Sequence, residues 1–436
     1  MEMRVVMEGF KKLVSVEEAL RLLEKLTHSL TSRRLEEVSL LDSLGRVCGE
    51  DILAPNDVPP YDRSAVDGYA VIAEDTFGAS PTNPVELKVL GSVNLIDLEN
   101  TFPEVKRGCS VEVMTGAPIP PGANAVVMAE DVRKIEENLI EVVKPVHPFQ
   151  NISRRGEDFK KGEVVVEKGT LIKPWHIGAL ASLNITKVKV VVKPSVGVLS
   201  TGSELIEVGE EAGERYVVNS TKPMLKALIR SVGGEPVDFG IVEDDLQEIK
   251  DKIIKALEIC DLLIITGGTS VGRRDLVPEA IRELGQIVVH GIAMRPGKPT
   301  GFGYVNGKIV FMFSGFPVAS IVGFNLLAKP TIERMLGVKT QPKPTVKGIL
   351  ARKVASPGGV RCFVRVKVSW NIRENKYIVE PLMLTGSGLL STLIKANGLL
   401  VIPENMEGYD EGEEVEVELF DPLIIESLSE NYNEHR

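Results

Sequence analysis

Between Lys189 and about residue 336, short apolar runs alternate with stretches of helical period, and few architectures accept that pattern. Residues 196–199 read as a buried strand. Residues 221–232 follow as a helix with Leu225, Leu228, Ile229 and Val232 on one face, and Gly233 stands at the position of a helix C-cap. Next come a strand over 236–242, a helix over 246–260 with Ile249, Ile253 and Leu257 in register, and a strand over 262–265. A helix over 276–284 ends at Gly285. A strand over 287–294, an Asn306-Gly307 hairpin turn, a strand over 309–313 and a helix over 317–336 complete the series. Strands alternating with helices dictate a mostly parallel sheet covered on both faces.

The chain has 436 residues, enough for about three domains. Near its start Ser15-Val16-Glu17-Glu18 is a capping box, which predicts a helix with Ala19, Leu22, Leu23 and Leu26 on its apolar face. From Cys48 to His147, prolines and glycines punctuate short runs at 86–90, 110–114, 125–129 and 139–143, the pattern of a small β-rich domain. A helix over 174–183, with proline near its first position, follows. The β-rich segment 48–147 is therefore read as inserted into a helical linker domain made of 1–47 and 148–188. The α/β domain spans 189–336. Residues 337–436 form a C-terminal β domain, in which Cys362, Val364, Val366 and Val368 face one way and Arg361, Phe363, Arg365 and Lys367 the other. That alternation predicts a small antiparallel, barrel-like sheet. The fold class is thus multidomain α/β.

Composition narrows the function. A net charge of −10 speaks against a general nucleic-acid binder, which needs a basic face for phosphates. The four cysteines form no CxxC pair and the five histidines no HxxxH pair, so neither a zinc ribbon nor a histidine-built zinc site is expected. No apolar run approaches the ~18 residues of a membrane-spanning helix, and the charged segment from Met1 to Lys12 has no signal-peptide core. The expectation is a cytoplasmic protein with no membrane partner.

In an open α/β sheet, ligands bind beyond the carboxyl ends of the strands. Following the predicted strands stand Thr201-Gly202-Ser203-Glu204, then Glu243-Asp244-Asp245, then Gly267-Gly268-Thr269-Ser270-Val271-Gly272-Arg273-Arg274-Asp275, then Arg295-Pro296-Gly297-Lys298-Pro299, and after the hairpin Ser314-Gly315-Phe316-Pro317. Backbone N–H groups of a glycine turn bind phosphate or another oxyanion, and nearby carboxylates hold a Mg²⁺ that bridges it. Each element also has a structural reading. Asp245 with Glu248 makes a capping box, which leaves Asp244 as the better functional residue. Asp275 reads equally as a helix N-cap, Glu204 as a loop acid, and Arg273 and Arg274 as surface charges. Arg273 and Arg274 stand where a P-loop requires lysine and a hydroxyl, so a Walker A motif is rejected. Three further loops pack polar groups between turn formers: Pro59 to Tyr69 with Asp67, Met114 to Asn124 with Thr115, and Arg154 to Asp158. Asp67 before Gly68 also reads as an Asx-turn.

Seven segments in order, PPYDRSAVDGYAV, VMTGAPIPPGANAVV, RRGEDFKKG, GVLSTGSEL, DLLIITGGTSVGRRD, MRPGKPTGFG and GSGLLSTLIKANGLLVIPE, together resemble the molybdopterin molybdotransferase family, which includes the E domain of gephyrin. The resemblance implies a molybdopterin-binding α/β domain, a homodimer, and Mg²⁺-dependent insertion of molybdate, or of tungstate, into adenylylated molybdopterin with release of AMP. It also implies transient contact with the preceding adenylyltransferase. Carried over, Glu204, Asp244 and Asp275 are the functional acids, with Asp244 and Asp275 on Mg²⁺. Asp67, Thr115 and Asp158 are expected to reach a cleft, that of the partner subunit. Thr201, Gly202, Ser203, Gly267, Gly268, Ser270 and Gly272 cradle the pterin nucleotide. Arg295, Lys298, Pro299, Arg361, Arg365 and Ser387 serve the oxyanion. The chain departs from the family where lysine often replaces Gly291, where Lys-Pro-Gly-Lys replaces Arg295-Pro296-Gly297-Lys298, and where an oxyanion serine replaces Ala319 beside Ser320. Two other readings are an adenylyltransferase-like activity, against which the extra domains argue, and a non-catalytic scaffold, against which the retained acids argue.

Overall fold

The computed structural model describes residues 13–27, 34–93, 102–211, 213, 215–268, 276–338, 343–382 and 388–425. The chain divides into two compact units, Glu37–Val190 and the remainder.

The larger unit is built on the α/β sheet. Strand β1 (Ser195–Thr201), helix α1 (Thr221–Ser231), β2 (Glu235–Val242), α2 (Leu246–Ile259), β3 (Leu262–Thr266), α3 (Leu276–Leu284), β4 (Gln286–His290), β5 (Gly301–Val305) and β6 (Lys308–Phe313) succeed one another. The strand order is β2-β1-β3-β6-β5-β4. β1 pairs in parallel with β2 and β3, and β3 with β6, while β5 runs antiparallel to both its neighbours. β3 is buried throughout, which explains its unbroken apolar run. Leu199, Ile249, Ile253, Leu263, Ile265, Val277 and Ile281 form the core between this sheet and helices α2 and α3. Asp245 accepts the N–H of Glu248 at 2.9 Å and so caps α2, its structural reading.

Two expectations change here. The predicted strand 287–294 is two pieces. Its first part is β4; its last part, Met294–Arg295, pairs instead with the start of the barrel strand at Arg361 and Cys362. Gly291 separates them at φ 95°, a left-handed conformation that breaks an extended strand. The predicted helix 317–336 is α-helical over Pro317–Gly323, widens to a π-helix over Phe324–Ala328, and resumes over Lys329–Leu336. Pro330, which has no N–H, lies just after the widened segment.

The N-terminal helix Val16–Thr27 starts where the capping signal places it: Ser15 Oγ accepts the N–H of Glu18 at 3.2 Å. The other half of the box is spent elsewhere, since the Glu18 carboxylate pairs with Arg21. This helix, which the sequence reading groups with 148–188, packs within the larger unit. Arg334 donates to the Glu24 carbonyl, the Glu24 carboxylate and Thr27 Oγ1.

The C-terminal strands β7 (Thr345–Leu350), β8 (Arg361–Asn371), β9 (Lys376–Pro381), β10 (Gly398–Ile402) and β11 (Glu414–Leu419) close on themselves in the order β8-β9-β7-β11-β10-β8. This is the expected barrel. Its pairs are antiparallel except β7 with β9, which is parallel. Cys362, Val364, Val366 and Val368 point into its core, as the period of two requires. Arg365 departs from the pattern, being buried at 3% exposure on the other face.

The smaller unit holds a six-stranded sheet in the order Ala125–Met128, Gly68–Val71, Cys109–Val113, Val85–Val93, Leu139–Val142, Val132–Glu136. Apolar clusters cover both its faces, one around Tyr69, Leu87 and Ile140 and one around Ala70, Val111 and Val126. Helix Pro174–Ser182 and three two-stranded ribbons complete the described part of this region. No helix among the described residues is long and apolar enough to cross a membrane.

Candidate functional site

The sheet order sets the site. The chain leaves β1 for β2 on one side, then crosses back to β3 on the other, so the carboxyl ends of β1 and β3 flank a topological switch point, where the diverging loops leave a crevice. A cleft of about 1280 Å³ opens there. Its floor is the end of β1 with Thr201 and Gly202, and the turn after β3 with Gly267 and Gly268. One wall carries Glu204 and Asp244, and another carries Arg295 to Pro299. The barrel closes a third side with Phe363 and Arg365.

The turn is tightly built. Gly267 and Gly268 take φ +90° and +59°, and the Gly267 N–H donates to the Phe313 carbonyl. Ser200 Oγ and Thr266 Oγ1, 3.0 Å apart, join β1 to β3 just below it. Thr201 Oγ1 is buried with no hydrogen-bond partner among the described residues. The Glu204 carboxylate folds back over Gly202, where a Cβ would stand 2.8 Å from its Oε2. Ser203 Oγ, at 3.4 Å, accepts from the Asp244 N–H and ties the two acidic loops together.

Arg295 and Lys298 are exposed, with no ion pair among the described residues. Arg365 Nε donates to Thr392 Oγ1 at 3.2 Å, and burial pushes its guanidinium pKa below the ordinary arginine value. A solvated pair of cations and a buried one thus face two carboxylates across the cleft. Such a set suits a hard cation bridged to an anion. Glu204 and Asp244 offer oxygen donors only, the chemistry that Mg²⁺ takes. No group of three acidic, cysteine or histidine side chains able to hold a metal occurs among the described residues.

Ser270, Gly272, Asp275 and Ser387 lie outside the described residues. Arg361 does not line the cleft: its guanidinium binds Glu404 at 2.8 and 3.0 Å, with Glu17 at 3.5 Å. Ser320 does not replace the oxyanion serine missing at Ala319. It is fully buried and its hydroxyl donates to the Ser314 carbonyl, whereas Ala319 lines the cleft.

Asp67, Thr115 and Asp158 belong to the smaller unit. Asp67 is not in an Asx-turn. Its Oδ1 accepts from the Thr115 N–H at 2.7 Å and the Thr115 hydroxyl at 2.8 Å, joining two of the polar loops, and these bonds hold its carboxyl below the usual range. Asp158 is exposed, beside a turn fixed by Arg155 on Asp57 at 2.6 Å.

The sequence reading missed the apolar and amide part of the cleft. Leu205, Val217 and Val218 line it. Asn219 lines it as well. Its only local signal is an Asn-Ser-Thr run ahead of a helix, which reads as an ordinary N-cap.

Comparison with known proteins covers the same regions. Residues 14–184 match the MoeA N-terminal region (domain I and II), 197–334 the family described as "Probable molybdopterin binding domain", and 347–420 the MoeA C-terminal region (domain IV). A protein of Methanocaldococcus jannaschii assigned to molybdopterin biosynthesis is 44% identical over 424 residues, 95% of this chain and 100% of that one. A molybdopterin molybdenumtransferase of Bacillus subtilis is 36% identical over 408 residues, 93% of each chain. The crystal structure of a molybdopterin biosynthesis moeA protein from Pyrococcus horikoshii OT3 superposes with a TM-score of 0.81 at 40% identity, over 94% of this chain and 100% of that one. With matches spread along nearly its whole length, the chain belongs to the MoeA family of transferase enzymes.

Proposed function

We propose that the protein is a molybdopterin molybdotransferase of molybdenum-cofactor biosynthesis. It inserts molybdate, or near-isosteric tungstate, into adenylylated molybdopterin and releases AMP. The observation that carries this reading is the switch-point cleft, where Glu204 and Asp244 face Arg295, Lys298 and Arg365 around the Gly267-Gly268 turn. The named relatives support it: the Bacillus subtilis and Staphylococcus aureus proteins are called molybdopterin molybdenumtransferase.

Asp244, with Asp275, would hold Mg²⁺. When bound, Mg²⁺ supplies charge neutralisation at the phosphate link. The chain's own residues do the rest. The glycine turn orients the phosphate, since backbone N–H groups of such turns bind anions. Arg295 and Lys298 draw the dianionic oxyanion toward the pterin, and Arg365 fixes it from the barrel side. Holding both reactants in one cleft converts a bimolecular encounter into a positioned one. Arg361, committed to Glu404 and Glu17, is assigned to the barrel rather than to the oxyanion. A cytoplasmic homodimer, with Asp67, Thr115 and Asp158 reaching a cleft of the partner subunit, completes the proposal.

The test is AMP release from adenylylated molybdopterin with Mg²⁺, as molybdate and then tungstate are titrated in. Release that depends on either oxyanion, with the metal appearing on the pterin, supports the transferase and ranks its metals. Ligand binding without release under either oxyanion overturns it in favour of a scaffold.

A further inference from the structure

Phe316 is a large apolar side chain in the cleft wall, yet it is 59% exposed. Its backbone is fixed. Its N–H donates to Ser314 Oγ at 3.3 Å, and its carbonyl accepts the N–H of Ser320 at 3.0 Å, in the first turn of helix Pro317–Gly323. Residues 317–320 are buried, and Pro317 holds the residue before it extended, at ψ 128°. The exposed surface is therefore chiefly that of the ring. One edge of the ring rests on Gly388, which also lines the cleft: a Cβ there would stand 3.3 Å from Phe316 Cδ1. The ring thus lies along the wall with more than half of the residue uncovered.

A second apolar segment reaches the same place. Val217 and Val218, 57% and 39% exposed, line the cleft. Three residues after Val218, Thr221 Oγ1 donates at 2.8 Å to the carbonyl of Gly315, the residue before Phe316. Gly315 in turn abuts the glycine turn, since a Cβ on it would lie 3.7 Å from Gly267 Cα. An apolar stretch therefore begins where the anion-binding turn ends. Exposed apolar surface inside a cleft with a few convergent polar groups marks a ligand contact. A ligand that satisfies both parts carries an anionic group with an apolar face next to it. An aromatic ring pairs best with a flat partner stacked on it. A nucleotide supplies both, a phosphate and a planar heterocycle; a bare oxyanion supplies only the first.

We propose that Phe316 is a substrate-binding residue whose ring stacks on a planar heterocycle of the pterin nucleotide held by its phosphate at the Gly267-Gly268 turn. The ligand's identity rests on the activity proposed above; the pairing of an anion with a flat apolar group rests on the geometry.

The test compares the wild-type chain with Phe316→Leu and Phe316→Tyr. Leu keeps apolar bulk and removes the π face; Tyr keeps the ring. Equilibrium binding is measured for AMP, which carries adenine, for molybdopterin, which carries the pterin, and for inorganic pyrophosphate, which carries no ring. AMP release from adenylylated molybdopterin is followed beside it. Leu is expected to weaken binding of the stacked heterocycle about 5- to 100-fold, the worth of one base stacked on an aromatic side chain. Tyr should bind as the wild type does, and pyrophosphate binding should be the same in all three. A loss confined to AMP assigns the stack to adenine; a loss confined to molybdopterin assigns it to the pterin. Should the Leu variant fail to fold, Phe316→Trp decides by fluorescence, with quenching beyond that of the wild type by AMP or molybdopterin and none by pyrophosphate. Unchanged affinity for both ring ligands in Phe316→Leu, an equal loss for pyrophosphate, a Tyr variant as weak as Leu, or a Trp variant quenched no more than the wild type overturns the inference. Wild-type chain that binds AMP or molybdopterin without oxyanion-dependent AMP release refutes the transferase reading, while the variants still judge Phe316. Wild-type chain that binds neither overturns both.

Discussion

Replacing Gly267 with alanine tests whether the turn after β3 is as constrained as its geometry implies. A Cβ at this position would stand 2.2 Å from the Thr201 carbonyl oxygen and 3.0 Å from Thr201 Oγ1, with the backbone at φ +90°. The positive φ costs an L-residue roughly 1–2 kcal/mol. Relieving a contact with backbone means moving the end of β1 or the turn itself, about 1–3 kcal/mol of packing strain. The Gly267 N–H bond to Phe313 anchors the turn on its far side, so it cannot simply swing away. The sum is about 3 kcal/mol, and in a unit of this size each kcal/mol moves the melting temperature by about 2–4 °C. Gly267→Ala should therefore lower the transition of the larger unit by roughly 6–12 °C. Gly268→Ala is the internal control. Its φ of +59° lies where L-residues are tolerated, and its Cβ would meet side-chain atoms only, Thr201 Oγ1 and Val277 Cγ2, both at 2.8 Å. It should cost about half as much. Differential scanning calorimetry on both variants decides. Gly267→Ala melting within about 2 °C of the wild type, or Gly268→Ala proving the more damaging, would refute the argument.

Asp244→Asn should abolish oxyanion-dependent AMP release, a loss above about 100-fold, since even outer partners of a bound metal are worth 10–100-fold. Asp244 is exposed, so its melting temperature should not move; a parallel loss of both would make Asp244 structural. Lys222, 4% exposed, bonds the carboxylates of Glu207 and Asp238. Burial raises the Asp238 pKa, but bonds from Lys226, the Gly240 N–H and Lys222 outweigh it and bring it down to about 2. The resulting stabilisation, about 1 kcal/mol once discounted for exposure, is present above pH 4 and lost as the pH falls through 2. Lys222→Met should flatten that acid limb in urea melts between pH 5 and 2; an unchanged slope would refute the assignment. Thr115→Val removes the hydroxyl donor from Asp67 and should raise that carboxyl's pKa toward its ordinary value, as followed by carboxyl NMR, whereas an unmoved titration would show that the backbone N–H alone sets it.

The polar loops show where sequence reasoning reached and where it stopped. Glu204, Asp244 and the glycine turn were legible because an α/β alternation sends strand ends to one edge, and those residues follow strands. Asp245 was legible by spacing: its distance to Glu248 marks a cap, and Asp245 is that cap. Arg361 and Arg365 were not separable. They alternate in the same phase on one strand, yet Glu404 engages the first while the second is buried at the cleft. Ser320 was misleading for a similar reason, since adjacency along a helix places neighbours about 100° apart and only Ala319 reaches the cleft.

Local pattern determined the secondary elements, the mostly parallel sheet and the barrel, because hydrophobic period and turn residues act over a few positions at a time. Tertiary structure decided what distant segments do to one another. It made Gly291 the break that hands Met294 and Arg295 to the barrel. It joined Asp67 to Thr115 across 48 positions. It also set the Asn219 side chain as a buried acceptor for the N–H of Lys222. Burial and hydrogen-bond satisfaction depend on which groups meet after the chain has crossed the sheet, and no local spacing encodes that.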